Sequence, residues 1–157
     1  MKYIFKWLFV ENQFKYPKMQ LLNVRNIKII IIDECTLFQR VMKELLVNEL
    51  SCEIIGEVST EEDFFTLKNI HIADLILMNI HMPQFNGIEI AKRMTYKYPN
   101  AKIIAITVYS EKVYLDQIVE AGFRGCLLKS NFFAHLIPAF ECVLNGRLYF
   151  DKEFHVK

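Results

Sequence analysis

The chain has 157 residues, 53% of them apolar and 24% charged, with only five glycines and four prolines. That composition excludes a disordered or low-complexity protein and supplies enough apolar material for one buried core. A formal charge of +1 is too near neutral for a chain that grips nucleic-acid phosphates directly, and no apolar run approaches the ~20 residues of a membrane span.

The charge is unevenly placed. Residues 1–28 hold six Lys or Arg against one Glu, for +5, and the remaining 129 residues hold 13 basic and 17 acidic groups, for −4. Residues 1–26 therefore form a basic leader. Its Tyr3–Val10 stretch is short, is interrupted by Lys6 and is followed by no small-residue cleavage site, which argues against a signal peptide. Two readings stand: a poorly ordered amphipathic segment that touches a membrane surface or partner, or a mis-assigned start, with translation beginning at Met19.

Beyond the leader, apolar runs of strand length alternate with helical patterns, as in a parallel α/β sheet. Lys28–Ile32 is the first strand, almost wholly aliphatic, as expected of a strand covered on both faces. Thr36–Leu50 follows as a helix with Leu37, Val41, Leu45 and Leu46 on its inner stripe and Thr36 as its cap. Glu53–Val58 is the second strand, and Thr60-Glu61-Glu62-Asp63 opens a short acidic helix ending near Asn69. Asp74–Asn79 is the third strand. Gly87–Lys97 reads as a helix stopped by Tyr98-Pro99-Asn100. Lys102–Thr107 is the fourth strand, Glu111–Ala121 a helix ended by Gly122, Phe123–Leu128 the fifth strand, and Asn131–Asn145 the fifth helix. Cys35, Cys52, Cys126 and Cys142 show no spacing suited to zinc and read as reduced thiols of a cytoplasmic protein.

In such a sheet, functional groups gather beyond the carboxyl ends of the strands. Strand one ends on Asp33 and Glu34, strand three on Asn79, strand four on Thr107 and strand five on Lys129. Four strongly apolar strands that each run into polar groups make a converging set. Each member also has a plainer reading: an acidic turn, a capping amide, a strand-end hydroxyl, a snorkelling lysine.

Through these residues the chain resembles the receiver domain of two-component response regulators. Ile29–Glu34 resembles the family's first strand and acidic pair. Asp74–Pro83 with Asn86-Gly87 resembles the phosphoacceptor strand and loop, Ile103–Thr107 the strand with the switch hydroxyl, and Gly122–Ser130 the strand with the lysine. The resemblance implies a flavodoxin-like (βα)5 receiver with a five-stranded parallel sheet in order 2-1-3-4-5, spanning residues 27–146. It also implies a mechanism in which a carboxylate at the end of strand three accepts a phosphoryl group beside Mg²⁺.

Here that position is Asn79, the phosphoacceptor equivalent, and an amide has no anionic oxygen with which to attack. Cys126, three residues before Lys129, stands where the family carries an aromatic ring. Against the family pattern, the pocket charge falls from −2 to −1. Two like charges ~4 Å apart cost about 4 kcal/mol at an effective dielectric of ~20. Asp33 and Glu34 are therefore expected to hold Mg²⁺ only weakly, Lys129 to satisfy one of them instead, and no cofactor is expected. Thr107, Lys129 and Cys126 are the switch and phosphate-reading equivalents, while His81 and Tyr109 border the entrance.

The expected function is an atypical, or pseudo-, receiver that signals by protein contacts without phosphorylation and is not an enzyme. The alternative is a conventional phosphorelay regulator of transcription acting through a C-terminal DNA-binding domain outside this chain. The resemblance makes a histidine kinase a candidate partner. It makes the surface of helix four, strand five and helix five a candidate homodimer or partner face, with Phe132, Phe133 and Phe140 as its rings. Residues 147–157 read as the start of a linker to an output domain, so no direct nucleic-acid binding is expected of this chain. An enzyme on the same sheet is disfavoured, because Asp33-Glu34-Cys35-Thr36 would repel a nucleotide's phosphates where a glycine-rich loop should sit.

Overall fold

Strands whose every residue is aliphatic can be buried only if helices cover both faces of the sheet, and the fold meets that requirement. The computed structural model describes residues 26–83 and 86–150; nearly all of the basic leader, including the Met19 start, and the last seven residues of the expected linker lie outside the described residues. β1 (Lys28–Ile32), β2 (Glu53–Val58), β3 (Leu75–Asn79), β4 (Ile103–Thr107), β5 (Gly125–Leu128) and a two-residue β6 (Tyr149–Phe150) form one parallel sheet in the order β2-β1-β3-β4-β5-β6. The expected order 2-1-3-4-5 is present. The sixth strand is an addition, made where the sequence reading places the start of a linker.

Five α-helices connect the first five strands and lead to the last: α1 (Thr36–Asn48), α2 (Glu61–Thr66), α3 (Gly87–Lys97), α4 (Lys112–Glu120) and α5 (Phe132–Leu144), with a 3-10 turn at Ile70–Ile72. Right-handed crossovers put them on opposite faces. Ile30, Ile32, Ile76 and Met78 pack toward Ile88, Ala91 and Met94 of α3 and Ile118 of α4. Their alternates Ile29, Ile31, Leu75 and Leu77 pack toward Met42 and Leu46 of α1 and Leu136, Phe140 and Val143 of α5. The period-two alternation of the strands thus feeds two cores, one on each side.

Three expectations change on contact with the fold. Thr36 does not cap α1; Cys35 occupies the N-cap position and Thr36 is the first helical residue. The inner stripe of α1 is rotated from the expected one: Leu37 is 58% exposed, whereas Gln39, Met42, Leu45 and Leu46 are buried. Phe132 and Phe140, expected on a partner face, are both fully buried. They fill the space between α5 and the sheet, Phe132 meeting the Phe38 ring edge-on at 5.3 Å, so neither is offered to a partner. Of the three rings only Phe133 is half-buried.

Candidate functional site

The loop that leaves β1 is held by its own backbone. Asp33 is completely buried, its N–H donates to Val58 O at 3.0 Å, and its Oδ1 accepts the Cys35 N–H at 2.9 Å. Gln39, 6% exposed, reaches up from α1 and donates Nε2 to the carbonyls of Asp33 and Val58, each at 2.7 Å. That single amide fastens the ends of β1 and β2 together. It is the site residue the apolar periodicity of α1 passed over, and its signal would have been a polar residue one turn before Met42 and two before Leu46.

The second oxygen of Asp33 faces the ammonium of Lys129 at 2.7 Å. Lys129 follows β5, and its own N–H donates to Thr107 O at 2.7 Å, which ties the ends of β4 and β5. The ammonium also lies 4.6 Å from the centre of the Phe38 ring, a cation–π contact on a group only 18% exposed. Burial pushes the Asp33 carboxyl above its ordinary 3.8; Lys129 and the Cys35 N–H pull it back, and the Glu34 charge adds a small upward push.

β3 delivers Asn79, 4% exposed, between these groups and the next loop. Its Nδ2 donates to Glu34 Oε2 at 2.7 Å and to His81 O at 3.1 Å, and its Oδ1 accepts the His81 N–H at 3.2 Å. A carboxylate can only accept, so the amide nitrogen must face Glu34. The acidic pair is thus answered twice within the chain, Asp33 by an ammonium and Glu34 by an amide.

Gly87 opens α3 directly over this strand end. A Cβ there would stand 2.5 Å from Asn79 O and 2.8 Å from Ile80 Cα, both backbone atoms that cannot yield. Gly87→Ala is expected to cost about 2 kcal/mol or more in urea unfolding, and an unchanged midpoint would contradict this packing.

Thr107 is fully buried at the end of β4, its hydroxyl accepting the Tyr109 N–H at 3.0 Å. Tyr109, 38% exposed, packs at 4.4 Å against the His81 ring with the two planes tilted by 56°, and Tyr114 of α4 meets the same ring edge-on at 4.8 Å. The sequence placed His81 and Tyr109 each at the pocket entrance and gave no sign of Tyr114, because only the fold brings α4 over the loop after β3. Burial holds the His81 imidazole below its ordinary 6.5. A cleft of about 560 Å³ opens beside this trio, bordered by Glu34, Met82, Asn86 and Gln117. Cys126 lies on β5, fully buried, with Ala105 and Phe150 as its cross-strand neighbours.

These donors do not suit a divalent cation. Mg²⁺ takes oxygen ligands, chiefly carboxylates; here one carboxylate is engaged by Lys129, the other by Asn79, and the third position turns an N–H donor toward the site. Among the described residues no cluster of three or more His, Cys, Asp or Glu is arranged to hold a metal.

The strand order, the acidic pair after β1 and the lysine after β5 agree with what comparison with known proteins finds. Residues 29–141 match the response regulator receiver domain model. The chain belongs to the response regulator receiver family. This receiver domain is 31% identical over 127 residues to the transcriptional regulatory protein DegU of Brevibacillus brevis, covering 81% of this chain and 54% of the relative. It is 24% identical to the response regulator GacA of Pseudomonas syringae pv. syringae (strain B728a), covering 81% of this chain and 59% of that protein. The chain thus spans little more than half the length of these curated relatives. In fold it is similar to a LuxR-family two-component response regulator from Aurantimonas sp. SI85-9A1, with TM-score 0.75, 21% identity, and 83% of this chain and 93% of the other covered. It is also similar to the isolated receiver domain of RcsB from Salmonella enterica serovar Typhimurium, with TM-score 0.72, 18% identity, and 83% and 96% covered. Among the described residues, no helix of this receiver domain is long and apolar enough to cross a membrane.

Proposed function

We propose that this receiver domain works as a pseudo-receiver: a cytoplasmic signalling module that acts through protein contacts, without accepting a phosphoryl group and without enzymatic turnover. The observation that carries this is the Asn79 side chain, which stands at the end of β3 and donates its amide to Glu34 at 2.7 Å. A carboxamide has its nitrogen lone pair delocalised and no anionic oxygen, so it is a poor nucleophile toward phosphorus. The Lys129 ammonium, which would otherwise be available to an incoming phosphoryl group, is held on Asp33. Thr107 is engaged by the Tyr109 N–H. Asp33, Glu34, Asn79, Thr107 and Lys129 therefore each have a partner within the chain, an arrangement suited to one fixed state rather than to a two-state switch.

A histidine kinase and a second protein partner remain the natural candidates for recognition, and the chain's relatives include a protein named as a transcriptional regulator. The test is incubation of the full chain with a small acyl-phosphate donor and Mg²⁺, followed by intact-mass analysis. No mass increase is expected. An acid-labile phosphoryl adduct would overturn the proposal and favour a conventional phosphorelay regulator acting through an output domain.

A further inference from the structure

Among the described residues β2 is the outermost strand on its side of the sheet, and the helix that follows it is thinly anchored. Every residue of β1 after the first is buried, whereas Ile54, Ile55 and Gly56 of β2 are only half-buried. α2 holds no buried residue at all. Phe64 and Leu67 lean on the core, but adjacent helical residues point about 100° apart, so Phe65 is turned outward and is 66% exposed. The same strip is strongly acidic. Residues 53–66 hold five acids, Glu53, Glu57, Glu61, Glu62 and Asp63, all exposed, and no Lys or Arg. Lys43 pairs with Glu57; among the described residues the other four have no ion-pair partner. The three acids on the first turn of α2 suit the positive end of that helix, which accounts for their position but not for Phe65 or Glu53.

The basic leader joins the domain at this strip. Asn26 Nδ2 donates to Glu53 Oε2 at 2.9 Å, the Glu53 N–H donates to Ile27 O at 2.8 Å, and on the other side the Lys28 N–H donates to Asp74 Oδ2 at 2.9 Å. The chain thus enters β1 between two acids and beside the first residue of the outermost strand. Residues 1–26 carry five basic groups, one acid and six aromatic rings, the complement of the strip in charge and its match in apolar character. The reach is sufficient. The six residues of β2 run ~20 Å at ~3.3 Å each. The stretch from Trp7 to Asn26 spans ~28 Å even at the helical rise of ~1.5 Å per residue.

We propose that the leader, residues 1–26, folds back on its own domain along the β2–α2 edge, its lysines against Glu53, Glu61, Glu62 and Asp63 and the rings of Tyr3–Val10 against Phe65. Glu53 and Glu57 guard the edge against a strand of neutral or acidic character, and the same charges attract a lysine-bearing one. An anionic membrane would draw the lysines but repel the adjoining acids. The strip offers opposite charge without that penalty, and covalent attachment supplies it at millimolar effective concentration, ahead of any second copy in dilute solution.

Trp7 is the chain's only tryptophan, so its fluorescence reads the leader alone. In the full chain its emission is expected to be blue-shifted, and acrylamide to quench it about threefold less than in a synthetic peptide of residues 1–26, because the docked indole is shielded from solvent. Glu61→Lys combined with Glu62→Lys, and separately Phe65→Ser, change only exposed side chains, with circular dichroism confirming the fold. Each should raise quenching toward that of the peptide. Adding Lys2→Glu and Lys6→Glu to the Glu61/Glu62 double variant should restore protection, which a mere weakening of α2 could not do. The proposal is overturned if Trp7 of the full chain is quenched as readily as in the peptide, if either set of substitutions leaves its protection unchanged, or if the reversed charges fail to restore it. Protection that grows with protein concentration would assign the contact to a second copy. Protection that arises only with phosphatidylserine vesicles would assign it to a membrane, and either result also overturns the proposal.

Discussion

Lys129→Met is expected to lower the stability of the domain by about 3 kcal/mol at neutral pH, the usual consequence of removing one partner from a buried pair. Methionine keeps most of the lysine stem over the Phe38 ring, so the loss reports the charge rather than the packing. What remains is Asp33, with no exposed surface and only the Cys35 N–H on one of its oxygens. The pH dependence distinguishes this from a packing defect. Burial already holds the Asp33 carboxyl above 3.8 with Lys129 in place, so the native state binds that proton more tightly than the unfolded chain. Its contribution therefore falls as pH rises from about 3.8 through the folded value. Without Lys129 the folded value moves higher still. The deficit of the variant should be full at neutral pH and shrink as acid protonates Asp33, and Asp33→Asn in the same chain should recover much of it. Urea midpoints from pH 4 to 8 check this. A deficit independent of pH would mean that the ammonium matters only as a space-filling stem.

Asn79→Asp is expected to act in the opposite sense on metal and on stability. The substitution converts the 2.7 Å hydrogen bond to Glu34 into a contact between two carboxylates. Like charges at ~4 Å cost about 4 kcal/mol at an effective dielectric of ~20, and partial exposure of Glu34 reduces the net effect to about 2–3 kcal/mol. In chelator the variant should unfold at a lower urea concentration than the parent. In millimolar Mg²⁺ it should recover, because the new carboxylate beside Glu34 offers a cation a pair of anionic oxygens and the bound ion stabilises only the folded chain. The parent should respond little to Mg²⁺. Equal stability of the two proteins in chelator would sink the electrostatic account of Asn79.

Much of this was legible in the chain because the signals were local. An isoleucine run ending in Asp33-Glu34, a second aliphatic run ending in Asn79, and Lys129 after a third are each readable within one strand, and the parallel topology then brings the ends of the strands together. Strand bounds followed closely, since an aliphatic run stops where a polar residue begins. Helix facing was less secure. In α1 the apolar residues permit two stripes rotated about 100° from each other, and only the arrival of Gln39 between the Asp33 and Val58 carbonyls selects the inner one. In α5 the helix is apolar nearly all round, so periodicity could not say that Phe132 and Phe140 turn inward and Phe133 only halfway.

By itself, then, the order of residues determined the alternation of strands and helices, the parallel sheet, and the identity of the side chains at its carboxyl end, above all an amide where chemistry needs an acid. Only the tertiary structure decided who answers whom: Lys129 to Asp33 across the sheet, Asn79 to Glu34, Tyr114 to His81, and Tyr149-Phe150 against the outer edge of β5. The reason is physical. A run of side chains declares its own backbone conformation through burial and spacing, whereas the partner of a charged or edge group is set by which distant segments close packing brings within about 3 Å.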